Sequence, residues 1–386
     1  MLCALGFLVI LAGNVGNPFL PLYAEELGSS EIFIGIIISS FFVSRVFVEL
    51  PAGYISDRIG YRSPLILGFV VSTLAAVVAA LALSPFHLMA ARALWGVGSA
   101  LFFNLSMNVV VSIVGKEDMG DAMGSFQGIE FIGSFMGAPI GGFIAAIFGY
   151  RVVFAVSAGI LLVTVIGMTV SKELKAVTSR GVVRGGRDRK ERRSWKDAMR
   201  AMQDYPFGIV CLTGFLRMFS MMGIFSTIAP IYLNSVLGFD VATIGILMGV
   251  RSVGMSLSNF LAGRAAKSAG KPFIYVTSLL LLGVTVLSIV LFPSLEIQMI
   301  VFFLSGVASG ILMPLLPVTI AETVTPSLRG TAIGFYRTFF AIGAVIAPVL
   351  LTWIATVWRI EGCFYFTSAL LLFNAVLSLT LRGRID

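Results

Sequence analysis

Charge is scarce in this sequence. Asp, Glu, Lys and Arg make up 12% of the 386 residues, about half the share of a soluble domain. A chain so poor in charge cannot cover a water-facing surface, which excludes an ordinary soluble globule. There is one histidine, His87, and there are three cysteines, Cys3, Cys211 and Cys363. A single imidazole excludes an HExxH zinc site, and no GxSxG, phosphate-loop or dinucleotide glycine motif occurs. The cysteines are far apart, in apolar surroundings and without a CxxC pair, so no metal site is indicated. No metal and no cofactor is expected, and an enzyme is the least supported class.

What the chain has instead is hydrocarbon: 58% of its residues are hydrophobic, with a mean hydropathy of +0.99. A membrane-crossing helix needs about 20 apolar residues. Twelve such runs occur, near 2–23, 32–55, 63–83, 87–113, 121–147, 151–170, 207–234, 241–263, 273–292, 296–320, 330–354 and 361–381. The first lacks a basic leader and resembles the other eleven, so it reads as helix 1 and not as a cleaved signal. Between the sixth and seventh runs lies the one long polar segment, 171–206, with 11 Lys/Arg against 5 Asp/Glu. The expected organisation is an N-terminal six-helix bundle (1–170), a basic linker (171–206) and a C-terminal six-helix bundle (207–386). WKDAMRAMQDYP, inside the linker, has the pattern of a short amphipathic helix at the membrane surface.

The net charge of +8 is concentrated in that linker, and no nucleic-acid-binding motif accompanies it. Topology explains the bias better. On one side of the membrane the linker's basic residues are joined by Arg58, Arg62, Lys116, Arg264, Lys267, Lys271, Arg329, Arg382 and Arg384; the other side holds only Arg151 and Arg359. Basic loops stay in the cytoplasm. Both termini and the linker are therefore expected inside, in a multi-pass protein of the cytoplasmic (inner) membrane.

The two halves are copies. A shift of 210 residues pairs Gly53 and Gly60 with Gly263 and Gly270, Gly96 with Gly306, and GDAMGSFQ (120–127) with GTAIGFYR (330–337). The matches are glycines at loop-specific and packing positions, which chance similarity between apolar helices does not produce. A parallel six-plus-six duplication is a known transporter plan.

Three motifs carry a resemblance. GYISDRIGYR (Gly53 to Arg62) resembles the loop signature between helices 2 and 3 of the major facilitator superfamily. ARALWGVGSA (Ala91 to Ala100) is similar to that family's arginine motif in helix 4. Gly124, Gly133, Gly137, Gly141 and Gly142 match the helix 5 glycine spacing of its exporter and antiporter branch. Tyr61 stands where the loop signature has a basic residue, and Pro139 comes one place later than the family's proline. The resemblance implies twelve membrane helices in two pseudo-symmetric bundles, with the substrate site at mid-membrane. It implies a conformational gate in Gly53, Asp57, Arg58, Gly60 and Arg62, with Asp57 as the latch. It sets Gly133, Gly137, Pro139, Gly141 and Gly142 against helix 8, and places helices 3, 6, 9 and 12 on the outside.

Seven ionisable residues fall within helices: Arg45, Glu49, Arg92, Glu130, Arg217, Arg251 and Arg337. Each costs roughly 2.5–3.5 kcal/mol at a helix centre, so each must face protein or a water-filled cavity. None lies in helices 3, 6, 9 or 12, in agreement with the resemblance. Glu130 and Arg92 are the proton-coupling candidates, because burial and a nearby cation pull a carboxyl pKa in opposite directions. A static Glu130–Arg92 bridge is the competing reading. Arg45 and Glu49, at i and i+4, read as a structural pair. Asn14, Asn17, Gln127, Arg217, Arg251 and Arg337 are candidates for the substrate cavity, the three arginines having no acid at comparable depth in their own half.

The function expected is secondary active transport of a small molecule by alternating access, proton-coupled and outward. The alternatives are proton-driven uptake of an organic anion and a non-transporting sensor on the same fold. The partners expected are the substrate, protons and the lipid bilayer. Nothing calls for more than a monomer.

Overall fold

The computed structural model describes residues 2–59, 61–113, 119–171, 205–322, 324 and 328–381, with side chains for all of these except 2–3, 50, 52–59, 103–113, 119–131 and 330–331. Every regular element among the described residues is a helix, with no strand. A chain in lipid satisfies its backbone within each helix, because the hydrocarbon offers no partner.

Among the described residues, twelve helical rods follow in order. α1 runs from Leu2–Gly16 through a 3₁₀ turn, Asn17–Phe19, into Leu20–Glu26. Next come α2 (Glu31–Ile59), α3 (Arg62–Ala80), α4 (Pro85–Ile113), α5 (Met119–Phe148) and α6 (Tyr150–Val170). α7 begins as Tyr205–Phe219 and continues to Val236, mostly in the wider π form. α8 (Val241–Ala269), α9 (Lys271–Leu291), α10 (Leu295–Glu322), α11 (Arg329–Val357) and α12 (Ile360–Ser378) complete the series. Among the described residues ten of these rods are long and apolar enough to cross a membrane, and the described end of α5, Ile132–Phe148, is a shorter apolar piece.

The polar island after the second apolar run is not the open turn its composition suggests. α2 continues through Gly53 to Ile59, and α8 likewise continues past Gly263 to Ala269. A helix leaving the bilayer keeps its internal hydrogen bonds, so polar side chains do not end it and an isolated glycine is tolerated. The chain reverses instead at glycines in the left-handed region, Gly28 (φ 79°), Gly149 (79°), Gly238 (70°) and Gly270 (80°). Gly28 and Gly238 are 210 residues apart, so the duplication survives in backbone conformation as well as in sequence.

Two departures from regular helix have local causes. Pro18 has no N–H to give, and α1 tightens into its 3₁₀ turn there. In α7, Pro230 removes another donor, Ala229 N–H reaches back to Ile224 O, and Thr227 Oγ1 donates to Met222 O at 2.7 Å. That is the i to i−5 register of a π-helix, a form concentrated at functional sites.

The helices form two compact units, Met1–Gly185 with Pro230–Gly249, and Gly186–Ala229 with Val250–Asp386. In the first, α1 packs on α5 and α6, α2 on α4, and α3 on α4 and α6. In the second, α7 packs on α11, α9 on α10 and α12, and α10 on α11. Two further pairings recur across the duplication: α1 with α5 answers α7 with α11, and α3 with α6 answers α9 with α12. α3, α6, α9 and α12 each leave large apolar side chains uncovered, among them Leu67, Val163, Val284 and Phe373. For a membrane protein these face lipid.

Candidate functional site

The first unit places a guanidinium among neutral groups. Arg92, on α4, is buried. Its Nη1 donates to Asn17 Oδ1 at 2.7 Å, and its guanidinium carbon lies 4.8 Å from the centroid of the Phe41 ring on α2. Asn17 is available because the turn at Pro18 breaks α1 there. Arg92 Nε is buried and has no hydrogen-bond partner among the described residues. Neither ion pair found among those residues involves Arg92. The side chains of Gln127 and Glu130 lie outside the described residues.

Asn14, one turn before Asn17, donates to Ile10 O at 2.9 Å and to Ser134 Oγ on α5 at 3.3 Å. The structure divides the α5 glycines that the resemblance sets against helix 8. Gly133, Gly137 and Gly141 meet α1: a Cβ there would stand 2.9 Å from Phe7 O, 2.6 Å from Asn14 Cβ and 1.9 Å from Val15 O. Gly142 and Pro139 meet α8: a Cβ at Gly142 would come within 2.9 Å of Val241 O, and one at Gly249 within 2.6 Å of Pro139 Cγ. Spacing by four keeps 133, 137 and 141 on one helix face, while 138, 139 and 142 lie on the next. Bulk at either set would push a neighbouring helix away.

At the end of this unit, Arg62 Nη2 donates to Thr169 O of α6 at 3.2 Å. The side chains of Asp57 and Arg58, and Gly60 itself, lie outside the described residues, as does the environment of Gly53. Arg45 Nε and Glu49 Oε2 are 3.9 Å apart and both partly exposed.

The second unit holds two more buried guanidiniums. Arg217, 3% exposed on α7, donates to Ser309 Oγ of α10 at 3.4 Å and lies 5.3 Å from the Phe340 ring centroid on α11. Arg251, 7% exposed on α8, sits 4.0 Å above the Phe225 ring in the π stretch of α7. The Nε of each has no hydrogen-bond partner among the described residues. Arg337 differs from them: it is exposed on α11.

Sequence reasoning had not singled out Ser309, Phe41, Phe225, Phe340 or Ser220. The signal for two of them was the 210-residue shift itself, which pairs Ser309 with Ser99 and Phe41 with Arg251. The rings carry no such mark, since an apolar chain has 32 phenylalanines and only contacts tell a cation's platform from the rest.

Comparison with known proteins agrees with this architecture. The family model of the Major Facilitator Superfamily matches residues 2–240 and 210–385. A multidrug resistance protein MdtG from Proteus mirabilis is 24% identical over 373 residues, covering 94% of this chain and 90% of the relative. The MdtG of Escherichia coli K12 is 24% identical over 383 residues, covering 96% and 91%. Among solved structures, a bacterial homologue of the human lysosomal transporter Spinster superposes with a TM-score of 0.79 at 16% identity, over 98% of this chain and 95% of that one. The nucleoside transporter NupG gives 0.76 at 13% identity, over 99% and 100%. The structural likenesses, at these identities, speak to the fold.

Proposed function

The chain belongs to the Major Facilitator Superfamily of transporters, and on that premise we propose that it is a proton-coupled exporter of small molecules. It works by alternating access in the cytoplasmic membrane, with both termini inside. Export is supported by similarity, over nearly the whole length, to proteins named for multidrug resistance. The observation that carries the coupling is Arg92. Asn17 and Phe41 fix its guanidinium, yet its Nε is left without a partner among the described residues. A cation held by neutral groups is a standing counter-charge for a carboxyl that loads and releases a proton. Glu130 is the one acid near the middle of α5, and it takes that role. Protonated from outside, it frees Arg92 and disfavours bound substrate; deprotonated toward the cytoplasm, it resets the carrier.

The test is the Glu130→Gln variant in everted membrane vesicles, with a lipophilic dye as the transported probe. The expected result is loss of accumulation driven by a pH gradient, with dye binding retained. Accumulation that still follows the gradient at the wild-type rate would contradict the role of Glu130.

A further inference from the structure

We propose that the second unit contains an anion site, formed by Arg217, Arg251 and Ser220, that takes a carboxylate or phosphate group of the transported molecule. The proposal rests on the transporter reading above and names its substrate class.

Arg251 and Arg217 are both seated against α10, at Gly306 and Ser309. On α10, the backbone of Arg251 presses on Gly306, where a Cβ would stand 2.0 Å from the Arg251 carbonyl oxygen. Three residues on, Ser309 receives the Arg217 guanidinium. Positions three apart share a helix face, roughly 4.5 Å apart along the axis. Ser220 follows Arg217 by three on α7, and its Oγ is buried without a hydrogen-bond partner among the described residues.

The unused valence here is mainly N–H. The Nε groups of Arg217 and Arg251 are buried N–H donors without acceptors, and Ser220 adds a hydroxyl. Neither ion pair found among the described residues touches either arginine. Phe340 and Phe225 lie 5.3 and 4.0 Å from the two guanidinium carbons, and apolar rings do not satisfy the in-plane N–H edges. Those edges are matched bidentately by carboxylate and phosphate oxygens. Two buried like charges destabilise one another, and one anion between them relieves both. A cation would find repulsion from both guanidiniums and only a hydroxyl oxygen to accept from it. A purely structural role for either arginine predicts that its Nε would already be satisfied.

The experiment uses the full chain purified in detergent and follows thermal unfolding with succinate or inorganic phosphate. Succinamide is the neutral control and chloride the control for ionic strength. Ligand that binds only the folded state raises the apparent unfolding temperature. The expected result is stabilisation by succinate or phosphate and none by succinamide or chloride. Arg217→Gln and Arg251→Gln should each weaken the effective anion affinity on the order of 100-fold, the usual consequence of truncating one partner of a buried charge contact. Should a Gln variant fail to fold, Arg217→Lys and Arg251→Lys carry the test: the charge stays, the fork is lost, and affinity falls at least about tenfold.

Absence of stabilisation by either anion overturns the proposal, and so does stabilisation that the variants leave unchanged. Dye export in everted vesicles separates this outcome from the exporter reading. Export without any anion effect removes the anion site alone. Arginine-dependent anion binding without export supports the site and removes the direction of transport.

Discussion

Gly306 and Arg251 touch with no room for a side chain between them: a Cβ at Gly306 would stand 2.0 Å from the Arg251 carbonyl oxygen. Earlier in the chain by 210 residues, a Cβ at Gly96 would stand 2.2 Å from the Phe41 carbonyl oxygen. The two helix crossings are copies, but their side chains have traded places. In the first, Arg92 comes from the α4 side and Phe41 lies beneath it. In the second, the Arg92 position is Phe302 and the Phe41 position is Arg251. The duplicated backbone was kept while the cation moved to the opposite helix.

These crossings should be intolerant of bulk. Gly306→Ala and Gly96→Ala each force two helix backbones apart, at a cost of about 1–3 kcal/mol for overpacking. Thermal unfolding of the purified variants should show a clear drop for both. Gly159→Ala is the control, because a Cβ there meets nothing within 4 Å, and it should cause no loss.

The Arg92–Asn17 contact yields a prediction with two opposite readouts. Asn17→Asp puts a permanent carboxylate on Arg92 Nη1, where the neutral Oδ1 now accepts at 2.7 Å. A charge-assisted bond is about twice as strong as a neutral one, so thermal stability should hold or rise. Transport driven by a pH gradient should fall sharply, since Arg92 then no longer serves Glu130. Gradient-driven dye transport at the wild-type rate in Asn17→Asp would count against Arg92 as the counter-charge.

The contact of α5 with the start of α8 gives a third. Gly142→Leu places a side chain where Val241 O and the Gly245 Cα lie 2.9 and 3.2 Å from a Cβ. The variant should insert and express yet transport at well under half the wild-type rate, read by dye accumulation in vesicles. Unimpaired accumulation would show that this approach of the two helices is not needed for the cycle.

Much of the fold was legible because the bilayer imposes one simple rule, length of apolar run. The run at 151–170 became Tyr150–Val170, and that at 63–83 became Arg62–Ala80. Ends outside hydrocarbon escaped that rule. α2 and α8 run past Gly53 and Gly263 because hydrogen bonds within a helix persist in water. The π register of α7 was illegible, since Pro230 and Thr227 read as ordinary residues until their backbone partners are known. At the candidate site the charges stood out at once against hydrocarbon. Their surroundings did not, because Phe41, Phe225 and Phe340 differ from other phenylalanines only by position. That same limit kept Arg337, which is exposed, grouped with Arg217 and Arg251, which are buried.

A structural control lies in the second unit. Tyr275 on α9 is buried, and its hydroxyl bonds Thr319 Oγ1 and donates to Leu315 O at 3.2 Å on α10. Tyr275→Phe takes this partner from the Leu315 carbonyl and the Thr319 hydroxyl and should cost about 1–3 kcal/mol of stability. Transport per folded molecule should be unchanged, which a comparison of unfolding temperature with dye export will check.

Exchange of protons for a small molecule dissipates a pH gradient, and that movement of protons can be followed as it happens. Everted vesicles with an acidic interior are monitored by a pH-sensitive dye while a transported substrate is added outside. Coupled exchange predicts that substrate entry dissipates the pH gradient in wild-type vesicles and fails to do so with Glu130→Gln. Substrate accumulation that leaves the wild-type gradient untouched would contradict the account.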